Sequence, residues 1–83
     1  MKYVKPLNET DANASYKNAD PANAQKGSTV PAEAIEYPQR EIVNLITSAG
    51  LTPSEADLTQ AARAVDAKIA NATANLVTRG ELT

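Results

Sequence analysis

The sequence predicts a mainly α protein: an extended irregular N-terminal arm, then a helix, a turn and a long second helix that associates as a coiled coil. Three observations carry this. Apolar residues beyond position 37 recur at helical spacing, the helix ends carry start and stop residues, and the first thirty-six residues hold too few large side chains to close a core. The expected divisions are a partner-binding arm at 1–36, a short helix at 37–50, and a long heptad helix with a C-terminal tail at 51–83.

The arm contains Pro6, Pro21, Pro31 and Gly27, with many Asn, Asp and Ser, and its large aliphatic residues are only Val4, Leu7, Val30 and Ile35. That is too little burial to offset the entropy of ordering the segment alone. Asn-Ala recurs at Asn13-Ala14, Asn18-Ala19 and Asn23-Ala24, too short a period for a solenoid and better read as turn-prone low complexity. Tyr3, Val4, Leu7, Tyr16, Val30, Ile35 and Tyr37 are spaced as anchors for separate pockets on a partner surface. Tyrosine suits that role through its rigid ring and its hydroxyl. The arm is therefore expected to be mostly irregular and to make most of its contacts with other chains.

The first helix is expected over 38–49. Pro38 suits a first turn, where a missing N–H costs nothing, and Gly50 suits the position after the last turn. Ile42, Val43, Leu45, Ile46 and Ala49 give one apolar stripe, and the first four, with Leu51, are the expected helix-packing residues. Thr52-Pro53-Ser54-Glu55 is a capping box with proline at the first helical position, and Leu51 precedes it where a staple residue would sit. The second helix is expected from Pro53 to about Val77, stopping before Gly80. Within it Leu58, Ala62, Val65, Ile69, Ala72 and Leu76 are separated by 4, 3, 4, 3 and 4 residues, a heptad seam. Packing on the first helix within one chain is the alternative, but that helix is too short to cover Ile69, Ala72 and Leu76. The seam is therefore expected to be an oligomer interface.

Composition supports that expectation. Eighty-three residues make one small domain at most, with about fifteen Val, Ile and Leu, sixteen Ala, and no Phe or Trp. So small a core needs disulfides, a metal or association, and the chain has no Cys and no His. Thiolate and imidazole metal sites are thereby excluded, as are the common general base and the strongest nucleophile. No catalytic, cofactor-binding or metal-ligating residue is assigned, and the chain is not expected to be an enzyme. Glu55 and Asp57 flank a helix start, where negative charge complements the dipole. Gly27-Ser28-Thr29 is a turn, lacking the lysine of a phosphate-binding loop. A net charge of −2 with mixed signs is not a nucleic-acid footprint. A helix-turn-helix reading fails because Ser54-Glu55-Ala56-Asp57 would aim carboxylates at phosphates. No apolar run approaches a membrane span, and no apolar segment follows Met1-Lys2-Tyr3-Val4-Lys5-Pro6 as a secretory signal would require. The glycosylation triplets beginning at Asn8, Asn13 and Asn71 are attributed to chance in an Asn-rich chain.

The middle of the chain carries a resemblance. Gly27-Ser28-Thr29-Val30-Pro31-Ala32-Glu33-Ala34-Ile35-Glu36, Pro38-Gln39-Arg40-Glu41-Ile42-Val43, Ala49-Gly50-Leu51-Thr52-Pro53 and Ala56-Asp57-Leu58-Thr59-Gln60 resemble the N-terminal region of tailed-bacteriophage tail fibre proteins. The likeness covers roughly residues 20–60. Gly27, Pro31, Pro38, Gln39, Arg40, Glu41, Gly50 and Pro53 mark its motif, most specific around Pro38 to Ile42. The resemblance implies the virion-proximal end of a trimeric fibre, made in the host cytoplasm and built into the tail. It implies a homotrimer, with the arm docked on tail or baseplate proteins and a distal fibre protein at the C-terminus; composition adds the expectation of no nucleic acid, membrane or cofactor partner. The chain departs from the family in reaching Thr83 soon after the heptads, which suggests a short attachment or adaptor protein, a minimal fibre stub, or a fragment whose distal part is encoded elsewhere. The rival expectation is a small helical regulatory module that folds on its partner.

Overall fold

A computed structural model describes residues 1–78, and the side chains of residues 1–75. The protein is mainly helical, with a one-turn 3-10 helix at Pro21–Asn23, α1 at Ala32–Ser48 and α2 at Gln60–Thr78. It divides into two compact units, Met1–Arg40 and Glu41–Thr83, and α1 runs through the boundary.

In the first unit, residues 17–20 run antiparallel to residues 25–28. Ser28 N–H donates to the Lys17 carbonyl at 2.9 Å, Lys17 N–H donates to Ser28 Oγ at 2.7 Å, and Asp20 and Gln25 form an isolated bridge. Gly27 eases the approach, since a Cβ there would lie a tight 3.1 Å from the Ala19 nitrogen. The 3-10 turn sits at the tip and ends at Ala24, which is left-handed at φ 54°. Leu7 N–H donates to the Thr29 carbonyl at 3.0 Å and brings the start of the chain to this pair. Pro6 is fully buried and Pro31 is buried. Residues 1–31 are irregular apart from the 3-10 turn, yet they are laced by bonds within the chain that their composition did not announce.

α1 begins at Ala32 rather than at Pro38, which lies inside it. Pro31 stands immediately before it, and the Pro31 carbonyl accepts from Ala34 N–H at 3.1 Å. Ala32, Glu33 and Ala34 are acceptable first-turn residues, with Glu33 placed favourably for the helix dipole. The other end is as expected. Gly50 has φ 84°, its N–H donates to the Thr47 carbonyl at 3.0 Å, and Leu51 N–H reaches the Ile46 carbonyl at 3.2 Å. That is a Schellman termination.

α2 begins seven residues later than expected, at Gln60 rather than Pro53. Side chains hold the intervening backbone in another form. Gln60 is buried, its Oε1 accepts from Ser54 N–H at 2.8 Å, and its Nε2 donates to the Thr52 carbonyl at 2.7 Å. Ser54 Oγ accepts from Ala56 N–H, and Asp57 Oδ1 accepts from both the N–H and the hydroxyl of Thr59. Such bonds compete directly with helix formation. Leu51 therefore does not staple the start of α2; it packs against the core cluster of Ile46, Ala49 and Ala64. The core of the second unit is Ile46, Ala49 and the fully buried Ala64, with Leu45, Leu51 and Ala67 packed against it. The expected stop before Gly80 and the tail to Thr83 lie outside the described residues.

Candidate interaction surface

On α2, Gln60, Ala64 and Ala67 fall at 4-3 spacing and face the core. Ala62, Val65, Ile69 and Ala72 fall at 3-4-3 spacing, centred roughly 150° round the helix from the first set at 3.6 residues per turn. All four are exposed, Val65 at 46% and Ile69 at 61%. The helix thus has two apolar stripes. The small one packs within the chain, and these four members of the expected seam face solvent. Arg63, Asp66 and Lys68 are exposed as well.

One member of the expected seam falls elsewhere, and another is not described. Leu58 lies in the loop before α2, 95% exposed, and does not continue the stripe of the helix. The side chain of Leu76 lies outside the described residues. Among the helix-packing residues, Leu45, Ile46 and Leu51 join the core, while Ile42 and Val43 are exposed. The core that Ala64 and Ala67 join takes its α1 residues, Leu45 and Ile46, from the last turn of that helix.

The expected arm anchors are partly engaged within their own unit. The Tyr3 hydroxyl donates to the Ala14 carbonyl and the Tyr16 hydroxyl to the Val4 carbonyl, both at 2.6 Å. Desolvation first, and the neighbouring Tyr3 second, hold the Tyr16 phenol above its ordinary pKa. The Lys5 ammonium donates to the Glu9 carbonyl. Met1, Lys2, Tyr3, Val4, Tyr16 and Ala34 line an open, mostly apolar groove of about 290 Å³. A second, more polar groove of about 360 Å³ lies between residues 6–9 and Lys17, Gln25, Lys26, Gly27, Ser28 and Thr29. Leu7 and Val30 are exposed, as are Ile35 and Tyr37, which belong to α1 rather than to the irregular segment.

The motif residues have identifiable local roles. Gly27 permits the close approach to Ala19, Pro31 precedes α1, and Gly50 ends it. Gln39 Nε2 donates to the Ile35 carbonyl at 3.2 Å, and Arg40 Nε meets Glu36 Oε2 at 2.6 Å in an exposed i, i+4 pair. That pair, through the hydrogen bond to Glu36 first, raises the Arg40 pKa. Pro38 and Glu41 lie within α1, and Pro53 lies in the loop before α2.

Two residues central to the second unit, Gln60 and Ala64, were not singled out from the sequence. A signal existed: Gln60, Ala64 and Ala67 form a second 4-3 series beside the seam. Among the described residues no group of acidic, His or Cys side chains is arranged to hold a metal ion, and no helix is long and apolar enough to cross a membrane. Comparison with family models, curated proteins and solved structures finds no match.

Proposed function

We propose that this chain is a non-enzymatic structural protein of a bacteriophage tail, a fibre attachment or adaptor protein or a short fibre stub. In this reading copies associate through α2, as a parallel trimer, and the N-terminal unit docks on tail or baseplate proteins. The C-terminal side hands on to a distal receptor-binding component.

The tail assignment rests on the sequence resemblance, and the observation that supports association is the exposed stripe of Ala62, Val65, Ile69 and Ala72 on the face of α2 turned away from the core. A helix interface of this kind costs nothing in the fold of the second unit, because the packed face is a different one. The number three leans on the sequence resemblance, since one Ile and alternating Ala do not specify strand number. Sedimentation equilibrium on the purified chain, together with mass spectrometry of purified particles, tests both halves. A concentration-dependent trimer and a stoichiometric virion protein are expected. A monomer at all concentrations sinks the first half, and absence from particles sinks the second.

A further inference from the structure

The sequence places a helix start at Thr52-Pro53-Ser54-Glu55, yet α2 begins at Gln60. The start signal is complete. Thr52 can cap, Pro53 fits the first helical position, Glu55 completes the capping box, and Asp57 adds negative charge to the first turn. No glycine or further proline interrupts 54–78. Short local bonds at Ser54 and Asp57 oppose helix here, and the one longer-range grip comes from α2 itself: the buried Gln60 amide holds the Thr52 carbonyl and the Ser54 N–H. A helix through 53–59 would use that N–H and carbonyl differently and break both contacts.

We infer that residues 53–59 are a latent first segment of α2, held as a loop by the Gln60 amide, and that releasing this grip extends the helix. The register gives the extension a consequence. Leu58, almost fully exposed in the loop, lies four residues before Ala62 and seven before Val65. In a helix starting at Pro53 it joins the exposed stripe and restores the seam 58-62-65-69-72. Extension therefore adds a large aliphatic side chain to the face proposed above for self-association. This last consequence rests on that proposal; the loop-to-helix change does not. The device makes association conditional: the single chain keeps Leu58 out of the seam, and the assembled form takes it in.

The experiment compares backbone Cα chemical shifts of residues 53–59 in the wild-type chain, in Gln60→Ala and in Gln60→Met. The Met variant keeps volume and helix preference while removing both hydrogen bonds, so one variant remains informative if the other folds poorly. Helical shifts across 54–59 in the variants, against loop shifts in the wild-type monomer, are expected. Adding Thr52→Ala and Glu55→Ala to Gln60→Met should return those shifts to non-helical values. Non-helical shifts at 54–59 in both single variants overturn the inference. Sedimentation separates it from the assembly reading. The Gln60 variants should associate roughly tenfold more tightly, the scale of burying one more leucine, and Leu58→Asp should cancel the gain. Helix extension with no association at any concentration upholds the latent segment and overturns self-association. Association with 53–59 still in loop form does the reverse.

Discussion

The rings of Tyr3 and Tyr16 meet edge to face, with centroids 6.3 Å apart and planes at 80°. Each hydroxyl is bonded to backbone near the other residue: Tyr3 to the Ala14 carbonyl, Tyr16 to the Val4 carbonyl. The pair closes the segment 3–16 by a reciprocal clasp in a region with no regular ladder. Edge-to-face geometry is favourable for aromatic pairs, and each hydroxyl here has a partner.

The clasp predicts that Tyr3→Phe and Tyr16→Phe each increase hydrogen exchange over residues 3–16. The double variant should lose less than the sum of the singles, because both act on one closure. Equal protection in all four chains would show that the hydroxyl bonds do not hold the segment.

Much of the helical part was legible in the sequence, and the reasons differ by residue. Gly50 was readable because a left-handed termination strongly favours glycine. Leu45 and Ile46 were readable from spacing. The start of α1 was not, because Pro38 was given a boundary role that Pro31 takes instead. The start of α2 was misplaced for a related reason. Thr52-Pro53 and Glu55 form a valid local signal, but Gln60 lies outside any window in which such a signal is judged. In the first unit, the contacts of Leu7 with Thr29 and of Tyr3 with Ala14 join residues far apart in sequence, which neither composition nor periodicity encodes.

The small core of the second unit gives a second prediction. Ile46→Ala should destabilise that unit by about 2–5 kcal/mol, the range for truncating a buried aliphatic residue. Ala64→Leu should cost about 1–3 kcal/mol through overpacking, because Ala64 has no exposed surface. Ala70→Leu, on an exposed position of the same helix, should cost little. Urea unfolding followed by a signal from the second unit ranks the three.

Gly50→Ala should cost about 1–2 kcal/mol. The site at φ 84° has open space around it, so the penalty is the left-handed backbone alone. Thermal unfolding measures it. A neutral result would mean that the Schellman termination relaxes without loss.

Acid should loosen the loop before α2. Bonds from the Thr59 hydroxyl and N–H, and then the Arg63 guanidinium, hold the Asp57 carboxyl below the ordinary carboxylate range. A carboxyl with a lowered native pKa contributes stability in full above its unfolded value, near ~3.9. That contribution is lost as pH falls through the native value. Exchange protection at the Thr59 amide should therefore hold from neutral pH to about pH 5 and decline below ~3.9. Asp57→Asn should remove that part of the decline. A wild-type profile unchanged down to pH 2 would count against the carboxylate as the anchor.

Ile69→Asp tests the exposed stripe directly. Ile69 lies on the face of α2 turned away from Ala64, so a charge there leaves the core of the second unit intact. In an assembly the same change puts one carboxylate from every copy into one apolar layer, where each must be desolvated among like charges. The expected result is a folded monomer: circular dichroism close to the wild type, and sedimentation at the mass of one chain when the wild type associates. Asp66→Ala, beside the stripe, should leave association nearly unchanged, since a flanking exposed charge contributes little. If Ile69→Asp associates as the wild type does, α2 joins copies through another face or not at all, and the stripe loses the role proposed for it. If the variant unfolds instead, Ile69 supports the fold of the single chain, which its exposure speaks against.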